Sequence, residues 1–123
     1  MNRPIKFRAW TDGDEKMHYK NIIIDGEVAV ICEDGCARCD DAIPVAFLMQ
    51  FTGLLDKNGK EVFEGDIVKL PPKTWANAIC QVVFTYGEFN LKDGNDCLIP
   101  IHYMDEAEVI GDVYQSPKLL KHA

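Results

Sequence analysis

Turn signals recur along this chain at intervals too short for helices of ordinary length. Asp25-Gly26, Asn58-Gly59, Glu64-Gly65-Asp66, Tyr86-Gly87 and Asp93-Gly94-Asn95-Asp96 each separate runs of apolar or alternating residues. An Asn-Gly pair tolerates the positive φ that a tight hairpin demands, and Asp-Gly behaves similarly. Between such turns, apolar and polar residues alternate at period two, the mark of a half-buried strand. Many short strands joined by Gly, Asn and Asp turns predict an all-β or mostly-β barrel.

The strands can be placed along the chain. Ile5, Phe7 and Ala9 fall on one face of the first strand, with Lys6, Arg8 and Trp10 on the other. Residues 11–16 are turn chemistry, and Met17 and Tyr19 resume the alternation, so a hairpin is expected. Trp10 then sits on a charged face and needs a cover. Ile22-Ile23-Ile24 and Val28-Ala29-Val30-Ile31 form a second strand pair. Residues 42–50 suit either a buried strand or a short helix, because an apolar run of that length has no decisive period. Val62–Leu70 reads as a Gly-Asp turn feeding a strand that Pro71-Pro72 ends, since proline removes a ladder donor. Further strands are predicted over 79–86, 88–92, 97–104 and 108–114. Ser116-Pro117 fits the start of a terminal helical turn.

Composition sets the class. The chain has 123 residues, 47% apolar and 27% charged, which is an ordinary globule and one expected domain over 1–123. The net charge of −7 argues against a broad phosphate-binding surface. The longest mostly apolar run, Ala42 to Met49, is too short to span a bilayer and contains Pro44. No signal-like apolar stretch follows the first residues, and the five cysteines read as reduced thiols, so a cytoplasmic protein is expected. Charge is unevenly spread. Residues 25–41 carry six acids and one arginine, while residues 1–20 carry five bases and three acids.

Several constellations bear on chemistry. Cys32, Cys36 and Cys39 include a Cys-x2-Cys pair, half of a tetrahedral zinc site. Cys80, Cys97 or His102 would have to converge on it to complete a site, and the alternative is a set of ordinary thiols, with Cys32 and Cys80 packed as small apolar residues. A thiol-dependent hydrolase would need His102 beside Cys97 or Cys80; His18 is expected on the outside of its hairpin. The acidic turns at 12–15, 56–59 and 93–96 lack the ligand spacing of a calcium loop and serve as hairpin turns. Trp10, Trp75, Tyr86, Phe89, Tyr103 and Tyr114 form an aromatic surplus expected at the surface, and a loop tryptophan such as Trp75 suits an interface anchor or a barrel-end cap.

Three stretches resemble one family. They are Ile5-Lys6-Phe7-Arg8-Ala9-Trp10 with Lys16-Met17, the central run from Leu48 through Thr52-Gly53-Leu54-Leu55-Asp56-Lys57-Asn58-Gly59-Lys60 to Val68, and Glu108–Tyr114. In this order they resemble the YopX family of bacteriophage and prophage proteins over nearly the whole chain. The Cys-bearing segment 32–41 and the Pro-Pro-Trp loop depart from the pattern. The resemblance implies a mainly β fold with a small SH3-like β-barrel, hairpin extensions, one or two short helices, self-association and phage or prophage origin. It implies no activity, and no catalytic, cofactor-binding or metal residue is carried over.

Three functional classes follow. The first is a non-enzymatic protein-interaction module, a homo-oligomer without cofactor, favoured by the aromatic surplus and the opposed charges. The second is a single-stranded nucleic-acid-binding barrel, with Lys6, Arg8, Lys16 and Lys20 beside Trp10 and Tyr19 as its footprint, a reading the net charge opposes. The third is a zinc-binding or thiol-dependent enzyme.

Overall fold

The computed structural model describes residues 5–25, 28–32, 42–71, 79–94 and 97–122. Among these residues the fold is mainly β, with two short 3₁₀ helices. The chain divides into two compact units, one from Ile5 to Gln50 and one gathering the chain from Phe51 onward.

In the first unit, β1 (Phe7–Thr11) pairs antiparallel with β2 (Lys16–His18) across the acidic turn, in the register Ala9↔His18 and Thr11↔Lys16. The ladder continues on the other side of β1, where Phe7 to Trp10 oppose Gln50 to Phe47. A separate three-stranded sheet holds β3 (Ile22–Asp25), β4 (Val28–Ile31) and β5 (Ile43–Pro44) in that order. The open choice over residues 42–50 resolves to strand: Pro44 closes β5, and Phe47 starts β6 (Phe47–Leu55).

The second unit begins within β6, where Phe51 opposes Phe63 of β7 (Glu61–Phe63). The register shifts before Leu55 opposes Glu61, and Gly53 absorbs the irregularity at φ 89°. Thr52 Oγ1 donates to the Val62 carbonyl at 2.8 Å and accepts the Leu54 N–H at 3.2 Å, which fixes that bulge.

From there the chain meanders through β8 (Asp66–Lys69), β9 (Ile79–Thr85), β10 (Glu88–Lys92) and β11 (Leu98–Pro100). A 3₁₀ helix (Ile101–Glu106) then returns it to β12 (Glu108–Asp112), which pairs with β8. The order β11-β10-β9-β8-β12, with a 3₁₀ turn before the last strand and that strand laid on the first, is the connectivity of an SH3-like barrel. The strands curl in the manner of a small barrel.

Alternation explains the core of this unit. Cys80 and Val82 of β9, Leu91 of β10 and Ile99 of β11 all point inward and meet Val62, Val68, Leu70, Met104 and Ala107. Each fully buried aliphatic side chain contributes about 1.5–3 kcal/mol relative to exposure. Tyr86 and Gly87 take φ of 54° and 80°, the mirror-image turn that matches strand twist, and Thr85 directly opposes Glu88.

Two strand expectations shorten. The strand predicted over 97–104 ends at Pro100, and residues 101–106 wind into the 3₁₀ helix. Pro100 has no N–H to extend the ladder, and the tighter turn is what buries Met104 completely. The strand predicted over 108–114 stops at Asp112. Its carboxylate accepts the N–H groups of Tyr114 and Gln115 at 3.0 and 2.9 Å and pulls them into a turn. The terminal helical turn is present as a 3₁₀ helix over Pro117–His122, and the Ser116 carbonyl accepts the Leu119 N–H.

Candidate functional site

The thiols come first. Cys80 is buried in β9; burial pushes its thiol up to about 11, and the negative charge of Asp93 adds to the rise. It is therefore a neutral packing group at neutral pH, not a thiolate. Cys32 is buried directly after β4, and Cys97 is exposed. Cys36 and Cys39 lie outside the described residues, as does Trp75. Among the described residues, no three His, Cys, Asp or Glu side chains gather where they could hold a metal ion. His102 is exposed and lies against its neighbour Tyr103, with ring centroids 4.4 Å apart.

The first hairpin contains a hydroxyl, an imidazole and a carboxylate. Thr11 Oγ1 donates to Asp14 Oδ1 and lies 3.1 Å from His18 Nε2. The same imidazole nitrogen is 4.0 Å from Asp14 Oδ2. A catalytic triad needs the acid on the opposite ring nitrogen and an accessible hydroxyl. Here acid and hydroxyl address one nitrogen, and Thr11 is fully buried. The cluster braces the turn, and the bond from Thr11, the largest influence, holds the Asp14 carboxyl below its ordinary range. His18 is half-buried against Thr11, contrary to the outward placement expected from its alternation.

The basic footprint does not assemble on the surface as expected. Arg8 is 3% exposed and Trp10 8%, so neither offers a face to a nucleic-acid strand, while Lys6, Lys16, Lys20 and Tyr19 are exposed. Both faces of β1 are covered, which meets the demand that Trp10 be shielded and takes Arg8 inside with it. The aromatic surplus thins in the same way. Phe89 is buried and Tyr103 and Tyr114 are half-buried, leaving Tyr86 as the exposed ring of that set among the described residues.

The buried acids are structural. Asp56 Oδ1 accepts the N–H groups of Asn58 and Lys60, and Oδ2 accepts that of Val109, all at 2.9 Å. Burial works to raise its pKa, but the N–H donors of Val109, Lys60 and Asn58, with the Lys60 charge, hold it below the ordinary carboxylate value. Asp66 Oδ2 accepts the Phe63 N–H at 2.8 Å and clamps the turn at Gly65.

What the second unit does present is a groove. Val83 and Thr85 of β9, Tyr86 in the turn, Lys92 of β10 and Leu98 of β11 line an open depression of about 300 Å³. Residues 81, 83 and 85 alternate with the inward Cys80 and Val82, so this is the sheet face turned away from the core. Tyr86 is 88% exposed and Leu98 41%, large apolar surface left in water. Phe84, edge-on to Phe89 at 4.9 Å, is exposed on the opposite face, the one that Phe89 shares with Val82 and Leu91. Sequence reasoning found Tyr86 but missed Val83, Thr85, Lys92 and Leu98. The available signal was Val83, an apolar residue on the face where Gln81 and Thr85 predict contact with solvent.

Connectivity and groove define a class: small, mainly β proteins whose SH3-like barrel exposes part of one sheet face. The YopX protein family model matches residues 6–121, and the chain belongs to that family. Two crystal structures are similar to it. One is the protein EF1440 from Enterococcus faecalis, 28% identical, with a TM-score of 0.62, covering 97% of this chain and 99% of that one. The other is the protein yopX from Bacillus subtilis, 25% identical, with a TM-score of 0.59, covering 94% and 95% respectively. No curated protein matches significantly. No helix among the described residues is long and apolar enough to cross a membrane.

Proposed function

We propose that this protein is a phage- or prophage-derived accessory protein that acts as a non-enzymatic protein-interaction module and self-associates. The observation that carries the reading is the groove beside Tyr86, where a tyrosine and a leucine stand in solvent around a depression. Aromatic side chains dominate interface energetics, and a contiguous exposed apolar patch is a common mark of an interaction site. Family membership supports the phage or prophage origin. Five cysteines, with Cys97 exposed as a free thiol, suit work in a reducing cytoplasm.

Affinity capture on the immobilised protein, run in parallel with Tyr86→Ala and Leu98→Asp variants, tests it. The reading expects bound protein, including the chain itself, that both variants lose while keeping their fold. An identical captured set for all three proteins, or turnover of a substrate by the purified chain, overturns it.

A further inference from the structure

Asn58-Gly59 is the single Asn-Gly pair of the sequence, and both residues are exposed in the turn between β6 and β7. An asparagine followed by glycine can close on itself, because glycine has no side chain to shield its nitrogen or restrict its backbone. Here the surroundings leave room as well: a Cβ built at Gly59 meets nothing within 4 Å.

The chemistry needs only water. The Gly59 amide nitrogen loses its proton to hydroxide and attacks Asn58 Cγ. The new N–Cγ bond replaces the Cγ–Nδ2 bond, and Nδ2 takes a proton from water and leaves as ammonia. Water then opens the resulting succinimide. Opening at Cγ gives aspartate, and opening at the main-chain carbon gives isoaspartate.

The fold holds this reaction back. Ring closure requires rotation about the Asn58 Cα–C bond, which swings the attacking nitrogen through space. That nitrogen is fixed: the Gly59 N–H donates to the Asp56 carbonyl at 3.0 Å. On either side of it, the N–H groups of Asn58 and Lys60 are held by Asp56 Oδ1, both at 2.9 Å. The nitrogen reaches Cγ only when these bonds open, so the rate follows the population of the opened turn.

The product cannot return to the same turn. Isoaspartate routes the main chain through Cβ and Cγ and adds a carbon to it. The span from Asp56 to Lys60 is closed in both directions, by Asp56 N–H to the Lys60 carbonyl and by the Lys60 N–H to Asp56 Oδ1, each at 2.9 Å. A longer span displaces the Asp56 carboxylate, whose other oxygen holds the Val109 N–H of β12.

We infer that Asn58 is a self-modification site gated by Asp56: opening of the turn lets Asn58 cyclise onto Gly59, and the isoaspartate formed releases β12 from the turn. The inference is independent of the groove and goes beyond the interaction-module reading.

Peptide mapping by mass spectrometry tests it on the full chain, incubated in mildly alkaline buffer either folded or in urea. Isoaspartate is scored with an isoaspartyl methyltransferase. Asn58 is expected to convert ahead of every other asparagine, and more slowly in the folded chain than in urea. Asp56→Ala is expected to speed conversion about tenfold or more, the factor that loss of one charge-assisted hydrogen bond gives. Asp56→Asn, which keeps an acceptor oxygen, is expected to fall between, and it carries the comparison if the alanine variant unfolds. In the converted chain the Val109 amide is expected to exchange faster. Earlier conversion at another asparagine overturns the site. Equal rates in the folded chain and in urea, or a rate that neither Asp56 variant changes, overturn the gate. Unchanged Val109 protection in isoaspartate-bearing chain overturns the release of β12.

Discussion

Asp56 accepts the backbone N–H of Val109, 53 residues further along the chain, at 2.9 Å. One carboxylate thereby joins the β6–β7 turn to β12. Its second oxygen closes the turn by accepting the N–H groups of Asn58 and Lys60. The Lys57 N–H, bonded to the Ala107 carbonyl at 2.9 Å, adds a parallel tie. The turn that Asn58-Gly59 announces locally is therefore also a clasp on the last strand of the barrel.

Replacing Asp56 by alanine leaves three donors without their acceptor. Hydrogen bonds to a charged group contribute about 1.5–3 kcal/mol each, and their losses overlap within one turn. The expected destabilisation is roughly 3–5 kcal/mol by urea unfolding, with Asp56→Asn intermediate. A change below roughly 1 kcal/mol contradicts the clasp.

Asp56 also sets a pH dependence. Its folded pKa lies below the ordinary value of 3.8, so the unfolded chain binds the proton first as pH falls. Its contribution to stability is complete above the unfolded value and is lost as pH drops through the folded one. Unfolding free energies measured from pH 6 down to pH 2 therefore fall less steeply for Asp56→Asn than for the unaltered chain. Parallel curves contradict the assignment.

Gly111 is held by close approach. A Cβ built there lies 2.9 Å from Leu119 Cδ1 and from Ser116 Cβ and Oγ. The leucine methyl can swing aside, but Ser116 Cβ is tied to backbone whose N–H bonds the Asp112 carbonyl at 2.8 Å. Gly111→Ala is expected to cost about 1–3 kcal/mol, the range for overpacking. It is also expected to speed amide exchange at Ser116 and Leu119, while the amides of β9 and β10 keep their protection. Unchanged exchange at Ser116 contradicts the contact.

The thiols separate by accessibility. In native protein a maleimide at pH 7.5 is expected to label exposed Cys97, while Cys80, buried and held as neutral thiol, reacts only after unfolding. Mass spectrometry of peptides from labelled protein reads both positions at once. Labelling of Cys80 at the Cys97 rate contradicts its placement in the core.

Much of the fold was legible because its determinants are local. Alternation placed the β1–β2 hairpin, β-branched runs placed β3 and β4, and the Gly-bearing turns marked off these and β9 and β10. Reading failed where two patterns share one appearance. Ile99, Ile101 and Tyr103 keep a period of two through Pro100, so the 3₁₀ helix looked like strand. Arg8 looked solvent-facing because alternation assigns sides of a strand without saying what covers each side. The groove was the least legible feature. Its lining comes from β9, β10 and β11, and only their register brings Lys92 opposite Leu98 and leaves Tyr86 standing at the turn.

The most direct test of the groove as the docking face is a concentration series of ¹H–¹⁵N spectra of the unaltered chain. The account predicts progressive shifts or broadening centred on Thr85, Tyr86, Glu88, Lys92 and Leu98 as concentration rises. Association whose shifts map to Ile24, Ile43 and Phe47 in the first unit, with the β9–β11 amides unmoved, would contradict it.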